Sequence, residues 1–301
     1  MMGAYEYMVA MVTFACIYAI FAIGLNVIWG FTGLINIGHV AFFAIGAYTS
    51  ALLTLNGFPF PLSVLAGLLI AGFFGFLISI PTLRLREDYL AIVTLGFAEI
   101  VRLILLNEEW LTNGPMGLAG IPQPLRDAIP WDYNTFYLIL VVVCLIGVYL
   151  GVERAVKSPF GRVLRAIREN EEAAKSLGKD VFNYKVQSLI LGASIAGFAG
   201  SLFAHFITFL SPDQFESIQT FYIWIMVVIG GSGNNRGTIL GAFLLLFFFE
   251  GMRFIKDFFE LPMAPENVAA LRLVIVGILL VAMMMYKPRG IMGEEAYVTG
   301  R

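Results

Sequence analysis

Between Met8 and Gly30 the chain runs for 23 residues without a charged side chain. A hydrocarbon layer about 30 Å thick is crossed by about 20 residues of helix. Inside that layer every backbone N–H and C=O must find a partner within the protein. Runs of this length exclude barrel strands, which alternate over about ten residues. Comparable apolar runs recur at 60–82, 89–107, 134–152, 184–210, 237–255 and 267–286. Two further segments, 36–55 and 217–231, are rich in Gly and small residues, and the second is short for a crossing. Each either crosses fully or forms a broken, re-entrant helix, which is tolerated only where protein or a cavity surrounds it. The expectation is an all-α, polytopic helical bundle of about eight or nine membrane segments. Composition agrees, with 59% hydrophobic and 13% charged residues, where ordinary globular domains carry about 25% charged. The first run has no Lys or Arg before it and exceeds a signal-peptide core, so it is expected to stay as a span.

Charge gives the orientation. From Glu153 to Lys185 lie 8 Lys/Arg and 5 Asp/Glu, so 13 of the chain's 40 charges occupy 33 of its 301 residues. The excess of basic residues predicts a cytoplasmic segment at 153–183. Arg84, Arg86, Lys287 and Arg289 then also fall inside. The 108–133 loop, with Glu108, Glu109, Asp127 and Asp132 against Arg126, falls outside, as does the acidic stretch Asp257, Glu260 and Glu266 after Lys256. With nine crossings the N-terminus is outside and the C-terminus is cytoplasmic.

Several chemistries are excluded or disfavoured. A net charge of −2 argues against nucleic acid as a partner. The stretch GGSGNNRGT (230–238) has neither the Lys nor the spacing of a phosphate-binding loop, so no nucleotide or other cofactor is expected on this chain. His39 and His205, the two histidines, have no Cys or carboxylate at ligand spacing, and no metal site is expected. Cys16 and Cys144 lie in apolar runs and read as buried free thiols.

Polar groups inside spans are the candidates for a passage. Asn36 and His39 stand three apart, which on a helix is one face. They either hydrogen-bond between neighbouring helices or line the passage. Glu99 and Arg102 are the ionisable groups deepest in a span. A charge there is costly, by at least about 2.5 kcal/mol, so such groups pair or face protein or water. An i, i+3 pair satisfies the structural requirement, while facing the pathway is the functional alternative. Glu250 and Arg253 repeat the same spacing 151 residues later, a hint of parallel internal repeats. Arg272 lies near a span end, where its stem can snorkel.

Within the basic segment, Ser158-Pro159-Phe160-Gly161 predicts a turn. Val163, Leu164, Ile167, Ala174 and Leu177 then recur at mostly three- and four-residue steps, predicting one amphipathic helix with a narrow apolar seam. Gly178 suits the left-handed position that ends it. Alone, such a segment reads as a solvated loop, or as a helix lying on anionic lipid.

The order of its residues says more. Glu172-Ala173-Ala174-Lys175-Ser176-Leu177-Gly178 is EAAxxxG, which resembles the ATPase-contacting loop of ABC importers. GLNVIWGFTGLINIGHVAFFAIGAYTSALL (24–53), LAIVTLGFAEIVRL (90–103), LTNGPMGLAGIP (111–122), GRVLRAIRENEEAAKSLG (161–178) and GGSGNNRGTILGA (230–242) together resemble the branched-chain amino-acid permease family of such importers. Of its two kinds of membrane subunit, the chain looks like the M-type. The resemblance covers about residues 20–290. It departs from the wider importer motif after Gly178, where VFNYKV stands in place of I-x-L-P.

That resemblance implies a single transmembrane permease domain over 1–301 with no enzymatic activity of its own. It implies that Arg165, Arg168, Glu171, Glu172, Ala173, Ala174 and Gly178 contact a cytoplasmic ATPase, with ATP held by two such partner subunits. It also implies a related second permease subunit and an extracytoplasmic solute-binding protein, for which the 108–133 loop is a candidate dock. The bilayer is that of a bacterial or archaeal plasma membrane, and the substrate is a branched-chain amino acid or, in similar permeases, urea or a short amide. A proton-coupled carrier using Glu99 or His39 is the rival reading.

Overall fold

The first charge-free run becomes helix α1 (Ala4–Leu25), continued by a π-helical turn over Asn26–Phe31. The computed structural model describes residues 4–83, 87–126, 129 and 132–258 and, between 271 and 293, residues 271, 274, 275, 277, 278, 281, 285–287 and 289–293. The helices that follow are α2 (Val40–Leu55), α3 (Phe60–Thr82), α4 (Glu87–Asn107), α5 (Glu109–Thr112), α6 (Tyr133–Lys157), α7 (Pro159–Glu169), α8 (Glu171–Ser176), α9 (Val181–Ile207), α10 (Ile218–Gly230) and α11 (Asn235–Phe258). Two short strands, β1 (Leu118–Ala119) and β2 (Phe209–Leu210), pair antiparallel.

Among the described residues, five helical stretches are long and apolar enough to cross a membrane: Tyr5–Phe31, Phe60–Thr82, Tyr89–Asn107, Tyr133–Lys157 and Val181–Ile207. The chain is thus an all-α polytopic membrane protein. The two segments left open by the sequence are helical only over 16 and 13 residues, about 24 and 20 Å of rise. Both fall short of the roughly 30 Å of a hydrocarbon core. Residues 33–38 ahead of α2 are irregular backbone, and Leu34 and Asn36 there are almost fully buried. Protein therefore surrounds them, as a non-helical stretch at membrane depth requires.

From Ala15 onward α1 is apolar on every side and buried on nearly every side, with Ala15, Ile17, Ile20, Phe21 and Ile23 at 0% exposure. α9 packs beside it through small residues. A Cβ on Gly46 of α2 would stand 2.0 Å from the Gly197 carbonyl oxygen of α9, and one on Gly24 would stand 2.8 Å from that of Gly192. Lipid tails give apolar helices no reason to prefer one another, so close backbone approach and buried hydrogen bonds hold such bundles. The Tyr137 hydroxyl, fully buried, donates to the Leu202 carbonyl at 2.6 Å and ties α6 to α9. The periphery is apolar: Leu62, Leu65, Leu69, Phe73, Leu77 and Ile80 form an exposed stripe along α3, as a hydrocarbon solvent demands.

Hydrogen bonds sort the helix ends. Asn26 at the end of α1 meets Gly233 and Asn235, and Asn235 meets Glu153 near the end of α6. α7 and α8 lie at this same end. At the opposite end Ser50 of α2 meets His205 of α9 at 2.9 Å, and His205 meets the Pro122 carbonyl at 2.8 Å. The 108–133 loop belongs to that opposite end. α1, α6 and α10 run toward the α7–α8 end, while α9 and α11 run away from it.

Several expectations need correction. The single amphipathic helix from Arg162 to Leu177 is two helices. Asn170 adopts extended backbone (φ −160, ψ 103) and its Oδ1 accepts from the Ala173 N–H at 2.9 Å, so it caps a new helix instead of continuing the old one. Leu177 is not in the seam but 79% exposed. Asn36 and His39 share no helical face, because the chain becomes helical only at Val40. Under the repeat pairing, α4 and α11 are similar in length, at 21 and 24 residues, whereas α2 and α9 have 16 and 27 and α3 and α10 have 23 and 13. Arg84, Arg86, Asp127, Glu260, Glu266, Arg272 and most of the 267–286 run lie outside the described residues, as do the side chains of Glu250, Arg253, Lys256 and Asp257.

Candidate functional site

The α7–α8 unit is built by its caps. Ser158 Oγ accepts from the Phe160 N–H at 3.2 Å and Pro159 starts α7, where a missing N–H costs nothing. Gly178, at φ +73, closes α8 in the left-handed region, and the Lys179 N–H donates to the Ala174 carbonyl at 3.1 Å. Asp180 then caps α9 through the Asn183 N–H at 3.2 Å. Ile167, Ala174 and Val181 form a small core of their own, flanked by Val163 and Tyr184. This hydrophobic cluster joins all three helices.

The seven residues expected to contact an ATPase divide three ways. Ala174 is buried in the small core. Arg165, Arg168 and Glu171 turn inward. The Arg165 guanidinium lies over the Phe31 ring, 5.4 Å from its centroid, and Arg168 Nη1 donates to the Gly30 carbonyl. Glu171 pairs with Lys175 at 2.8 Å and with Lys185 at 2.5 Å, fastening α8 to α9. Partial burial works to raise the Glu171 carboxyl, but the two lysines outweigh it and hold the group below the ordinary carboxylate value. Lys175 is raised in turn, by its hydrogen bond to Glu171. Glu172, Ala173 and Gly178 face solvent, together with Leu177.

Of the candidate pathway residues, Asn36 and His39 are sealed in. Asn36 Oδ1 accepts from the Gly38 N–H at 2.9 Å, and its carbonyl accepts from Trp224 Nε1 at 2.9 Å. His39 is fully buried and stacked on Phe21 at 5.0 Å. Neither ring nitrogen has hydrogen-bond geometry to any group among the described residues. The backbone around His39 is fixed instead by the Val40 N–H donating to Thr220 Oγ1 and the Ile37 N–H donating to Thr94 Oγ1, at 3.0 and 3.1 Å.

Glu99 and Arg102 do pair, at 2.6 Å, but on the open side of α4. Their side chains are 44% and 21% exposed, and Arg102 also reaches Asp213 at 3.9 Å. The sequence reading passed over Asp213 and its exposed neighbour Glu216. The signal was present, because SPDQFES (211–217) is a polar, Pro-bearing gap between two apolar runs. It also passed over the chain Lys157–Glu153–Asn235–Asn26, with links of 2.9, 3.0 and 3.0 Å, whose members stand at the ends of three different apolar runs that look unrelated in one dimension. No group of three or more potential metal ligands occurs among the described residues.

Comparison with known proteins agrees with this architecture. The family model described as "Branched-chain amino acid transport system / permease component" matches residues 7–284. The chain is 37% identical, over 93% of its length and 68% of the relative's, to the "High-affinity branched-chain amino acid transport system permease protein LivM" of Escherichia coli (strain K12). It is 39% identical, with the same coverage, to the protein of that name from Salmonella typhimurium. A "Probable branched-chain amino acid transport permease protein LivM" of Methanocaldococcus jannaschii is 28% identical over 94% of this chain and 92% of its own. No solved structure matches. The chain belongs to the family of permease components of branched-chain amino acid transport systems.

Proposed function

We propose that the chain is one membrane-spanning half of an ATP-driven importer for branched-chain, hydrophobic amino acids. The observation that carries the reading is the exposed tip of α8. Leu177 is 79% exposed beside the exposed Glu172, Ala173 and Gly178, on a unit whose own core makes it rigid. An apolar residue held out into water on a stiff lever suits insertion into a groove of another protein. In this reading two cytoplasmic ATPases carry the ATP, and their closure pushes the α7–α8 unit so that the helices re-tilt and the passage changes side. The flanking charges orient the contact more than they strengthen it. A cytoplasmic α7–α8 end gives a cytoplasmic C-terminus in the plasma membrane of a bacterium or archaeon. The opposite end, where Trp110 and Met116 are exposed, receives substrate from a binding protein.

The passage runs along the side of α4 that carries Glu99 and Arg102. Partly exposed charges in a span do not face hydrocarbon without cost, so this side meets water or a second, related permease subunit. Asn36 and His39 support the passage wall from within. Three acids and one base (Glu99, Asp213, Glu216, Arg102) give this side an excess of negative charge, suited to the ammonium group of an amino acid.

Reconstitution of the chain with its ATPases, second permease and binding protein in proteoliposomes tests the reading. ATP-dependent accumulation of leucine is the expected result. Uptake of urea alone would replace the substrate, and uptake that follows a proton gradient without ATP would overturn the mechanism.

A further inference from the structure

Contacts made by two arginines of α7 join the unit that receives the push to the segment at the heart of the bundle. Arg168, in the last turn of α7, donates to the Gly30 carbonyl in the π-helical turn that ends α1. Its stem lies against Gly33, where an added Cβ would meet Arg168 Cγ at 3.2 Å and where φ is +81. One turn earlier on α7, Arg165 covers the ring of Phe31. Immediately after these residues the helix ends, and the irregular stretch leads through Asn36 to His39 and α2. π-Helical turns mark places where a helix gives way, often at functional sites.

The same turn is held on its far side by α9. Ser188 Oγ donates to the Val27 carbonyl at 3.1 Å and meets Thr32 Oγ1 at 2.6 Å. Phe31 and Arg165 also border a polar cleft of about 320 Å³, lined further by Glu153, Lys157, Asn234 and Arg236. The joint thus has α9 on one side and the cleft on another, while Val27, Ile28 and Phe31 anchor it in the core.

We infer that Arg168, assisted by Arg165, is the positioning residue through which movement of the α7–α8 unit reaches residues 32–39 and swings the half-length helix α2. The covalent connections of the unit lead into α6 and α9. The Arg168–Gly30 bond adds a direct route to α2. The inference rests on the importer reading above and adds the path that the force takes.

The test uses the whole transporter in proteoliposomes and reads leucine moved per ATP hydrolysed. Arg168→Ala is expected to assemble with the ATPases and keep hydrolysing ATP while that ratio falls about tenfold, the scale of losing one charge-assisted hydrogen bond. Spin labels on Asn56 and Asn107, exposed ends of α2 and α4, should show an ATP-driven distance change that Arg168→Ala abolishes. A purely structural residue would lower assembly or hydrolysis and leave the ratio alone. Should Arg168→Ala not assemble, Phe31→Leu, which removes the ring beneath Arg165 and keeps an apolar side chain in the core, is expected to lower the ratio in the same direction. Wild type that couples, with a variant that couples and moves equally well, overturns the inference alone. Wild type that never couples overturns the importer reading beneath it.

Discussion

Glu171→Gln should loosen α8 from the bundle without unfolding it. The carboxylate holds two lysines, and the two contacts differ in worth. Lys175 is 59% exposed, and solvent screens an exposed i, i+4 pair so that it contributes little. Lys185 is only 12% exposed, and a charge-assisted hydrogen bond to it contributes more, roughly 1.5 kcal/mol before discounting for the one-third exposure of Glu171. A total of about 1–2 kcal/mol corresponds to roughly 5- to 30-fold in a local opening equilibrium. Hydrogen exchange of the amides in 173–179 should quicken by that factor in the variant at neutral pH, while amides of α1 stay unchanged. The pH dependence has a fixed sign. Because the folded carboxyl lies below its ordinary value of 4.5, its contribution is complete above that value and is lost as pH falls through the depressed folded one. The gap between wild type and variant should therefore close in acid. Equal exchange at neutral pH, or a gap that widens in acid, would refute the assignment of Glu171 as the fastener.

Gly46→Ala forces a methyl to within 2.0 Å of the Gly197 carbonyl oxygen. The α2–α9 contact must separate, at a cost of about 1–3 kcal/mol or more, seen as a lower melting temperature of the detergent-purified chain. Tyr137→Phe removes a buried hydroxyl bonded at 2.6 Å and should cost about 1 kcal/mol by the same assay. Leu177→Asp changes a side chain that is 79% exposed, so melting should not move while co-purification of the ATPases is lost. An unchanged complex would count against the docking tip.

The membrane architecture was legible because its signal is length. A charge-free run from Met8 to Gly30 has few alternatives, and the structure continues it as one helical stretch from Tyr5 to Phe31. The break ahead of α2 was half legible: the Gly and small residues of 36–55 raised it, but whether the stretch crossed depended on what surrounded it. The split at Asn170 was missed because Asn tolerates either role and the apolar spacing ran straight across it. Its capping bond to Ala173 decides the matter locally. In the candidate site, the i, i+3 pairing of Glu99 with Arg102 followed from spacing alone. The contact of Arg102 with Asp213 joins residues more than a hundred positions apart, and neither spacing nor composition carries it. His39 shows the reverse case. A polar residue in an apolar block suggested a hydrogen bond, and the structure gives it an aromatic stack on Phe21.

A photo-reactive residue at position 177, in the whole transporter cycling with ATP, reads the central claim most directly. The account predicts crosslinks to the ATPase subunits whose yield changes between nucleotide-free and ATP-bound states. Crosslinks to lipid alone, unaffected by nucleotide, would contradict it.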